Sequence, residues 1–282
     1  MNQINAETQL VALLGTPIKH SLSPKFQNAA FEALHLPYVY LAFETQAEAL
    51  EKTVKALIQL NARGWNLTMP HKSAMSNLVD ELSPVAKVIG AVNTVVNQGG
   101  KLYGDSTDGY GYMKMISKAG VNIIGKKMVL FGAGGAARAI AVQAAFDGVK
   151  ELVIINRSIE KAVQLAEEIN QATHCEASGM DFSDPKAIQK ALDDTQLLTN
   201  ATNVGMFPNV DQCLLTDTML LPKDLVVSDI IYHPRKTRLL KLAEEKGCQT
   251  VNGTQMLFWQ GAQSFFLWTG KKMPEQLIQQ VL

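Results

Sequence analysis

The chain alternates between short apolar runs and longer amphipathic segments. Runs such as 10–14, 38–43 and 151–156 have the length of a strand, whereas the segment 47–60 places apolar residues at helical spacing. Further strands are predicted at 196–200, 225–232 and 249–251, and further helices at 236–246 and 254–269. Because parallel strands need helical crossovers, this alternation predicts an α/β fold with a mostly parallel sheet.

One apolar run, 128–131, ends in a glycine-rich turn that is followed by a helix-forming segment at 136–146. The turn has the G-x-G-x-x-A pattern of dinucleotide-binding turns, from Gly132 to Ala137. Gly132 permits a tight turn, Gly134 lets the backbone approach a pyrophosphate, and the helix N-terminus offers free N–H groups to phosphate. A strand–helix turn without a ligand has the same pattern, but the flanking elements favour a dinucleotide site.

The residues after the next strand favour NADP as the cofactor. In an NAD site, an acidic residue about twenty positions beyond the glycines usually binds the ribose. Here the strand ends in Asn156, followed by Arg157, with Lys161 one turn later. A guanidinium binds phosphate through two parallel hydrogen bonds, so the cofactor's 2′-phosphate is expected at Arg157. Glu160 nearby leaves NAD open as a second cofactor.

Two loops of the first hundred residues carry candidate anion-binding groups. Ser21 and Ser23 precede a predicted helix at 25–34, where Ser23 is a candidate N-cap and both hydroxyls can hold a carboxylate or phosphate. Lys72 opens a second predicted helix, 72–82, although acidic residues are favoured at that end of a helix. That position makes Lys72 a candidate functional cation, although most such lysines are simply solvated.

Asn93 and Gln260 are polar residues among apolar neighbours. Asn93 falls within a predicted strand at 91–96, where asparagine is disfavoured, and Gln260 within the aromatic-rich segment 254–269. Each needs a hydrogen-bonding partner or a ligand.

A glycine-rich segment, 104–111, separates the first α/β region from the dinucleotide unit. We therefore predict two domains. Residues 1–108 and 253–282 form the substrate-binding and catalytic domain, and residues 109–252 form an inserted dinucleotide-binding domain. The cleft between them is expected to hold cofactor and substrate.

Composition and charge narrow the class of protein. The 282 residues are 47% hydrophobic and 18% charged, and 26 basic residues balance 26 acidic ones, so neither nucleic acid nor a membrane surface is an expected partner. Three scattered cysteines show no C-x-x-C spacing and predict neither disulfides nor a metal site. No basic leader or membrane-length apolar run is present, so we expect a cytoplasmic protein.

In chain order, these motifs resemble the shikimate dehydrogenase family, including its quinate/shikimate branch. The matching segments are H-S-L-S-P at 20–24, N-x-T-x-P-x-K at 66–72, G-A-x-N-T at 90–94, T-D-G at 107–109, G-A-G-G-A at 132–136, N-R-S at 156–158, N-A-T at 200–202 and M-L-x-x-Q-G-A at 256–262. Ser106 stands where the family usually has asparagine, and Lys161 replaces a common second arginine.

The resemblance implies reversible NADP-dependent oxidation of shikimate, a small-molecule substrate, to 3-dehydroshikimate in aromatic amino-acid biosynthesis. It assigns Lys72 and Asp108 as the catalytic pair. The implied substrate ligands are Ser21, Ser23 and Tyr232 for the carboxylate, and Thr68, Asn93 and Gln260 for the ring hydroxyls. The implied cofactor ligands are Gly132, Ala133, Gly134, Gly135, Ala136, Asn156, Arg157, Ser158, Lys161, Asn200, Thr202, Ile230 and Gly253. No metal is implied.

Several alternatives stay open from the sequence. His20 and His71 are rival acid–base candidates, because histidine titrates near neutral pH. The chain is alternatively a quinate/shikimate enzyme that uses NAD or both cofactors, a dehydrogenase of a related acid such as an aminoshikimate, or a non-catalytic nucleotide-binding regulator on the same fold. A homodimer is compatible with the sequence.

Overall fold

In a computed structural model, which describes residues 4–216 and 218–281, the chain forms two compact units. The first unit runs to Thr107 and resumes at Phe258, and the second is Asp108–Leu257. The sequence analysis placed the two boundaries at 108/109 and 252/253.

The strands are numbered in chain order. They are β1 (Gln9–Gly15), β2 (Tyr38–Glu44), β3 (Gly64–Leu67), β4 (Glu81–Leu82), β5 (Thr94–Gln98), β6 (Lys101–Asp105), β7 (Lys127–Phe131), β8 (Glu151–Asn156), β9 (Glu176–Asp181), β10 (Leu197–Asn200), β11 (Val226–Asp229) and β12 (Gln249–Asn252).

The α-helices are numbered in the same way. They are α1 (Ser23–Ala33), α2 (Leu50–Gln59), α3 (Lys72–Met75), α4 (Pro84–Ile89), α5 (Asp108–Lys118), α6 (Gly135–Phe146), α7 (Ile159–Ala172), α8 (Pro185–Ala191), α9 (Arg238–Glu245), α10 (Met256–Thr269) and α11 (Ile278–Val281). Short 3₁₀ turns occupy Ala47–Ala49, Gly253–Gln255 and Glu275–Leu277.

The first unit is built on a mixed six-stranded sheet with the order β2-β1-β3-β5-β6-β4. The pairs of β1 with β2 and β3 are parallel, those of β5 with β3 and β6 are antiparallel, and β4 pairs parallel with β6. Helix α10 is fixed to this sheet by Trp268, whose indole N–H donates to the Val95 carbonyl at 2.9 Å. A Cβ on Gly64 would lie 2.4 Å from the indole nitrogen, so only glycine fits there.

The second unit contains a parallel six-stranded sheet with the order β12-β11-β10-β7-β8-β9. Counted within the unit, this is the doubly wound order 3-2-1-4-5-6 of a Rossmann-like fold. The order reverses between β7 and β10, and ligands bind at the carboxyl ends of the strands at such a switch point. The predicted α/β class is therefore confirmed, and the glycine turn after β7 lies at the switch point.

Four local predictions in the two units were wrong. Helix α3 lasts one turn rather than reaching residue 82, because the chain then forms β4 beside β6. Ser23 is the first residue of α1 rather than its N-cap, and Leu22 occupies that position. The strand expected at 91–96 begins at Thr94 and so leaves out Asn93, and the strand expected to reach residue 232 ends at Asp229.

Within the described ranges, every helix falls short of the length and apolarity that a membrane crossing requires. In the same part of the chain, His, Cys, Asp and Glu side chains do not gather in threes into a possible metal site. The cysteines Cys175, Cys213 and Cys248 are free thiols, as their spacing predicted.

Asp105, at the end of β6, is a largely buried carboxylate in the first unit. Its Oδ1 accepts the Ser83 hydroxyl at 2.5 Å and the Ser106 N–H at 2.7 Å. Burial raises the pKa of the Asp105 carboxyl, and the two donated hydrogen bonds oppose that rise. The Ser83 hydroxyl also caps α4 by accepting from the Ala86 N–H, so this carboxylate holds the start of that helix.

We expect Asp105 to make stability fall as the pH rises. A raised native pKa means that the favourable contribution is complete below the unfolded carboxyl pKa, about 3.9, and is lost as Asp105 ionises in the folded protein. The Asp105→Asn variant keeps an oxygen for both donors but cannot ionise. Urea unfolding from about pH 4 to pH 7 should show wild type losing stability relative to the variant. Parallel pH profiles of the two proteins would contradict this account.

Candidate active site

The turn after β7 requires glycine at one position and leaves open space at another. Gly132 has a φ of +111°, and a Cβ there would lie 2.9 Å from the Ala201 carbonyl oxygen. Gly134, the N-cap of α6, has an ordinary extended backbone with φ −80°, and a Cβ there would meet nothing within 4 Å. Gly132 is therefore needed by the fold itself, whereas Gly134 faces space that a ligand can use.

A cavity of about 800 Å³ opens beside this turn within the second unit. Its volume lies in the usual range for small-molecule sites. Eight of the predicted cofactor residues line it, namely Gly132, Ala133, Gly134, Asn156, Arg157, Ser158, Lys161 and Thr202. Gly135 and Ala136 follow in the first turn of α6. The backbone N–H groups and the positive end of the helix dipole lie at this N-terminus, where they can bind an anion.

The charged side chains on the wall of the cavity are cations. Arg157 and Lys161 are exposed at its edge, and none of the described lining residues is Asp or Glu. Asn156 shapes the turn that carries them, because its Nδ2 donates to the Ser158 carbonyl at 2.9 Å. This arrangement suits a phosphate better than a ribose diol, so the lining fits the cofactor that the sequence favoured.

A buried hydrogen-bond network holds the neighbouring turn after β10. Asn200 is fully buried, and its Nδ2 donates to Asp229 Oδ2 at 3.0 Å and to the Val204 carbonyl at 3.1 Å. The Asn200 Oδ1 accepts from both the N–H and the hydroxyl of Thr202, and Asp229 also accepts the Thr237 hydroxyl at 2.7 Å. Burial raises the pKa of Asp229, which these hydrogen bonds oppose.

Ile230 and Gly253 belong to one close contact in the same unit. A Cβ on Gly253 would lie 2.1 Å from the Ile230 carbonyl oxygen, so the chain leaving β12 passes directly against the segment after β11. Five predicted cofactor residues do not line the cavity: Gly135 and Ala136 lie in α6, and Asn200, Ile230 and Gly253 lie where the ends of β10, β11 and β12 are held in place.

Sequence reasoning missed part of the cavity wall. Phe182 follows β9 and packs edge-on against Phe131, with ring centroids 5.9 Å apart, and a loop brings Gln212, Cys213 and Leu214 to the cavity. The position of Phe182 after a parallel strand is a signal that could have been used. The 212–214 loop carries no motif, and only the tertiary structure places it.

Four predicted residues of the first unit lie near the end of β3 and the start of β5, namely Thr68, Lys72, Asn93 and Gln260. Lys72 begins α3 and is half-buried, and its carbonyl accepts the Val92 N–H at 2.8 Å. Thr68 is half-buried between β3 and α3. The Asn93 Nδ2 lies 3.4 Å from Gln260 Oε1, so the two amides that the sequence analysis selected are neighbours.

Ser21 and Ser23 are also brought together, at the start of α1. The Ser21 hydroxyl accepts the Ser23 N–H at 3.2 Å, and Ser23 is buried and interacts with the Tyr40 hydroxyl. Asp108 and Tyr232 belong to the second unit. Asp108 is the half-buried first residue of α5, and Tyr232 is 67% exposed three residues after β11.

The two histidine candidates differ in their surroundings. His71 is 1% exposed, and its Nε2 lies 2.8 Å from the Thr45 carbonyl, so this nitrogen carries the proton and donates it. That bond gives His71 a structural role beside Lys72. His20 is exposed on the loop before α1.

Two glycine variants distinguish a glycine that the fold requires from a glycine that the ligand site requires. We expect Gly132→Ala to destabilise the protein by about 1–3 kcal/mol, because alanine cannot adopt that backbone conformation without strain. Gly134→Ala should keep or slightly raise the melting temperature, yet weaken NADPH binding at least about tenfold by filling the space for phosphate. Thermal unfolding and fluorescence titration with NADPH measure the two effects. Unchanged NADPH affinity in Gly134→Ala would place the cofactor elsewhere.

Comparison with protein families matches most of the chain to shikimate dehydrogenases. Residues 13–95 match the model described as "Shikimate dehydrogenase substrate binding domain", and residues 114–203 match "Shikimate / quinate 5-dehydrogenase". Residues 253–282 match "Shikimate 5'-dehydrogenase C-terminal domain".

Individual relatives are similar over almost their whole length. A "Shikimate dehydrogenase (NADP(+))" of Listeria innocua is 48% identical over 99% of this chain and 97% of its own. The protein of that name from Alkaliphilus oremlandii is 45% identical, covering 99% and 98%. A crystal structure of shikimate 5-dehydrogenase from Listeria monocytogenes, in complex with shikimate and NAD, superposes with a TM-score of 0.95 at 48% identity, covering 100% and 98%. The chain belongs to the shikimate dehydrogenase family.

Proposed function

We propose that this protein catalyses the reversible NADP-dependent oxidation of shikimate to 3-dehydroshikimate. The observation that carries the proposal is the cavity beside the glycine turn, which combines an open phosphate-binding backbone with Arg157 and Lys161 and has no carboxylate among its described lining residues. Relatives 45–48% identical over 99% of the chain are NADP-dependent shikimate dehydrogenases, which supports the same reaction here.

The second unit supplies the cofactor site. The N–H groups at the N-terminus of α6 and the open side of Gly134 receive the pyrophosphate, and Arg157 and Lys161 receive the 2′-phosphate. Thr202 and the turn held by Asn200 support the rest of the cofactor. A bound NADP would supply the nicotinamide ring as acceptor for the hydride from C3 of the substrate.

Lys72 and Asp108 handle the proton of the reacting hydroxyl. During oxidation the Lys72 amine takes this proton, and during reduction the ammonium returns it to the oxygen as negative charge develops there. The family resemblance assigns Asp108 as the second member of this catalytic pair, with a carboxylate that would share the proton. The Lys72 backbone is held in place because Lys72 begins α3, shortly after β3 ends at Leu67, and its carbonyl accepts the Val92 N–H.

The remaining predicted residues bind the carboxylate and the ring hydroxyls of the substrate. The hydroxyls of Ser21 and Ser23, with Tyr232, receive the carboxylate, and Thr68, Asn93 and Gln260 receive the ring hydroxyls. Each of these groups is neutral and can form a hydrogen bond, which suits a polyhydroxylated acid.

We further propose that the enzyme acts in the cytoplasm on this small molecule and that nucleic acid is not a partner. A homodimer is compatible with the sequence.

Lys72→Met tests the proton-transfer role. Removing a positioned acid–base group should lower kcat for shikimate roughly 10²–10⁴-fold, while NADPH affinity stays unchanged because Lys72 lies outside the cofactor unit. Steady-state spectrophotometry and NADPH titration make the measurement, with Lys52→Met on the exposed side of α2 as a control. His71→Gln, which can still donate to Thr45, should keep turnover. If Lys72→Met has wild-type kcat and His71→Gln is inactive, the acid–base role belongs to His71 instead.

Arg157→Ala tests the choice of cofactor. Loss of a charge-assisted hydrogen bond should raise KM for NADP about 10- to 100-fold and leave KM for NAD unchanged. Lys186→Ala, an exposed lysine of α8 outside the cavity lining, is the control. Equal losses with both cofactors would contradict a 2′-phosphate contact.

A second candidate function, oxidation of quinate or use of NAD, is favoured by two observations. One matching family model covers shikimate and quinate enzymes, and the 48% identical crystal structure contains NAD. Wild-type kcat/KM for the two acids with each cofactor decides between the candidates. Turnover with any pair excludes a non-catalytic regulator.

A further inference from the structure

We propose that Gly15 is a positioning residue, whose missing side chain fixes the direction of the Thr68 hydroxyl. Gly15 is buried at the end of β1, and Thr68 is half-buried just after β3. The inference rests on the proposed function, because that function takes Thr68 as a ligand of a substrate ring hydroxyl. It adds a residue that acts on the substrate through Thr68.

The backbone of Thr68 is held on both sides, which leaves its side chain as the part that can move. The Thr68 N–H donates to the Leu14 carbonyl at 2.9 Å, and the Thr68 carbonyl accepts the His71 N–H at 2.9 Å. Next along the chain, the Thr16 N–H donates to the Met69 carbonyl at 3.0 Å. Rotation about the Cα–Cβ bond of Thr68 is therefore the freedom that must be removed before its hydroxyl can point in a fixed direction.

The Thr68 methyl group occupies the space that a side chain at position 15 would need. A Cβ added to Gly15 would lie 2.2 Å from Thr68 Cγ2, far inside van der Waals contact. The next nearest atoms are Ile18 Cδ1 at 3.1 Å and the Met69 carbonyl oxygen at 3.2 Å, which would have to move by only a few tenths of an ångström. Gly15 is not among the glycines with positive φ, so the contact with Thr68, and not backbone strain, requires glycine there.

The three groups on the Thr68 Cβ take the three staggered positions in an order that is set by its chirality. With the methyl facing Gly15, the hydroxyl is turned away from Gly15 by about 120°. Within the part of the chain that the structure describes, this hydroxyl forms no hydrogen bond with another residue. A ring hydroxyl of the substrate can therefore donate to it or accept from it.

An alanine at position 15 would put the Thr68 methyl where its hydroxyl was. The added Cβ leaves room on that side only for the Cβ hydrogen of Thr68, because the hydroxyl oxygen would approach as closely as the methyl does. The one rotation that brings the hydrogen there carries the methyl into the former position of the hydroxyl. The substrate would then meet a methyl group in place of a hydrogen-bonding partner.

The test adds one methyl group and then makes room for it. We expect Gly15→Ala to raise KM for shikimate about tenfold and to leave KM for NADP unchanged, because one hydrogen bond to the substrate is lost. Thr68→Ser has no methyl, so adding Gly15→Ala to Thr68→Ser should leave KM for shikimate at the Thr68→Ser value. Thr68→Val, which replaces the hydroxyl by a methyl directly, should match the KM of Gly15→Ala.

Gly104→Ala is the matched control for crowding in the same unit. A Cβ there would lie 2.9 Å from the Val92 side chain and 3.1 Å from that of Val79, and would not meet Thr68. Its effects on the melting temperature and on KM for shikimate should therefore be the same with and without Thr68→Ser.

A wild-type KM for shikimate in Gly15→Ala or in Thr68→Val would overturn the proposal. A loss in Gly15→Ala that persists unchanged beside Thr68→Ser would also overturn it, since the displaced group would then not be the Thr68 methyl. If Gly15→Ala alone is too unstable to assay, recovery of the Thr68→Ser melting temperature and KM in the double variant supports the proposal, and continued instability overturns it. Failure of the proposed function is a separate result, namely wild-type protein that does not oxidise shikimate.

Discussion

The close approach of parallel strand ends at the switch point is the constraint on which the rest of the second unit depends. Strands β7 and β10 pair directly, and after them the backbone at Gly132 and Ala201 comes so near that no side chain fits at position 132. This approach aims the N-terminus of α6 into the cavity and sets the turn after β10 beside it. The same closeness recurs between Ile230 and Gly253. Glycine is thus required where backbone meets backbone, and at Gly134 it instead leaves room for a ligand.

The first unit is subject to a different physical constraint, because neutral polar groups are held in fixed orientations within its apolar core. A buried amide or hydroxyl without a partner is costly, so each one has to be satisfied by another. The side chains of Tyr40, Asn66, Thr94, Asn93 and Ser264 do this together with backbone groups, namely the Thr107 N–H and the Asn93 and Gln260 carbonyls. A network of this kind is rigid, because changing one orientation leaves several groups unsatisfied. That rigidity is what a site for a polyhydroxylated acid needs.

The chain as a whole has no net charge, so binding of an anionic cofactor depends on local groups. Arg157 and Lys161 supply positive charge on one wall of the cavity, and α6 supplies its N-terminal dipole. Membership of the shikimate dehydrogenase family is consistent with separate roles for the two units. The second unit carries phosphate-binding features, and the first carries the hydroxyl- and amide-rich residues that we propose contact the substrate.

The α/β class, the glycine turn, the candidate cations and the family could be predicted from the sequence, because these depend on local periodicity and on short motifs. The sequence also selected Asn93 and Gln260 as polar residues needing partners, and the structure makes them neighbours. It could not show that α3 stops after one turn, since pairing of β4 with β6 overrides the local helical pattern. Nor could it find Ser264 or Phe182, or show what Thr94 of the 90–94 motif contacts, because these contacts join distant segments. Tertiary structure alone decides which buried donors meet which acceptors, and hence which way the Asn93 amide points.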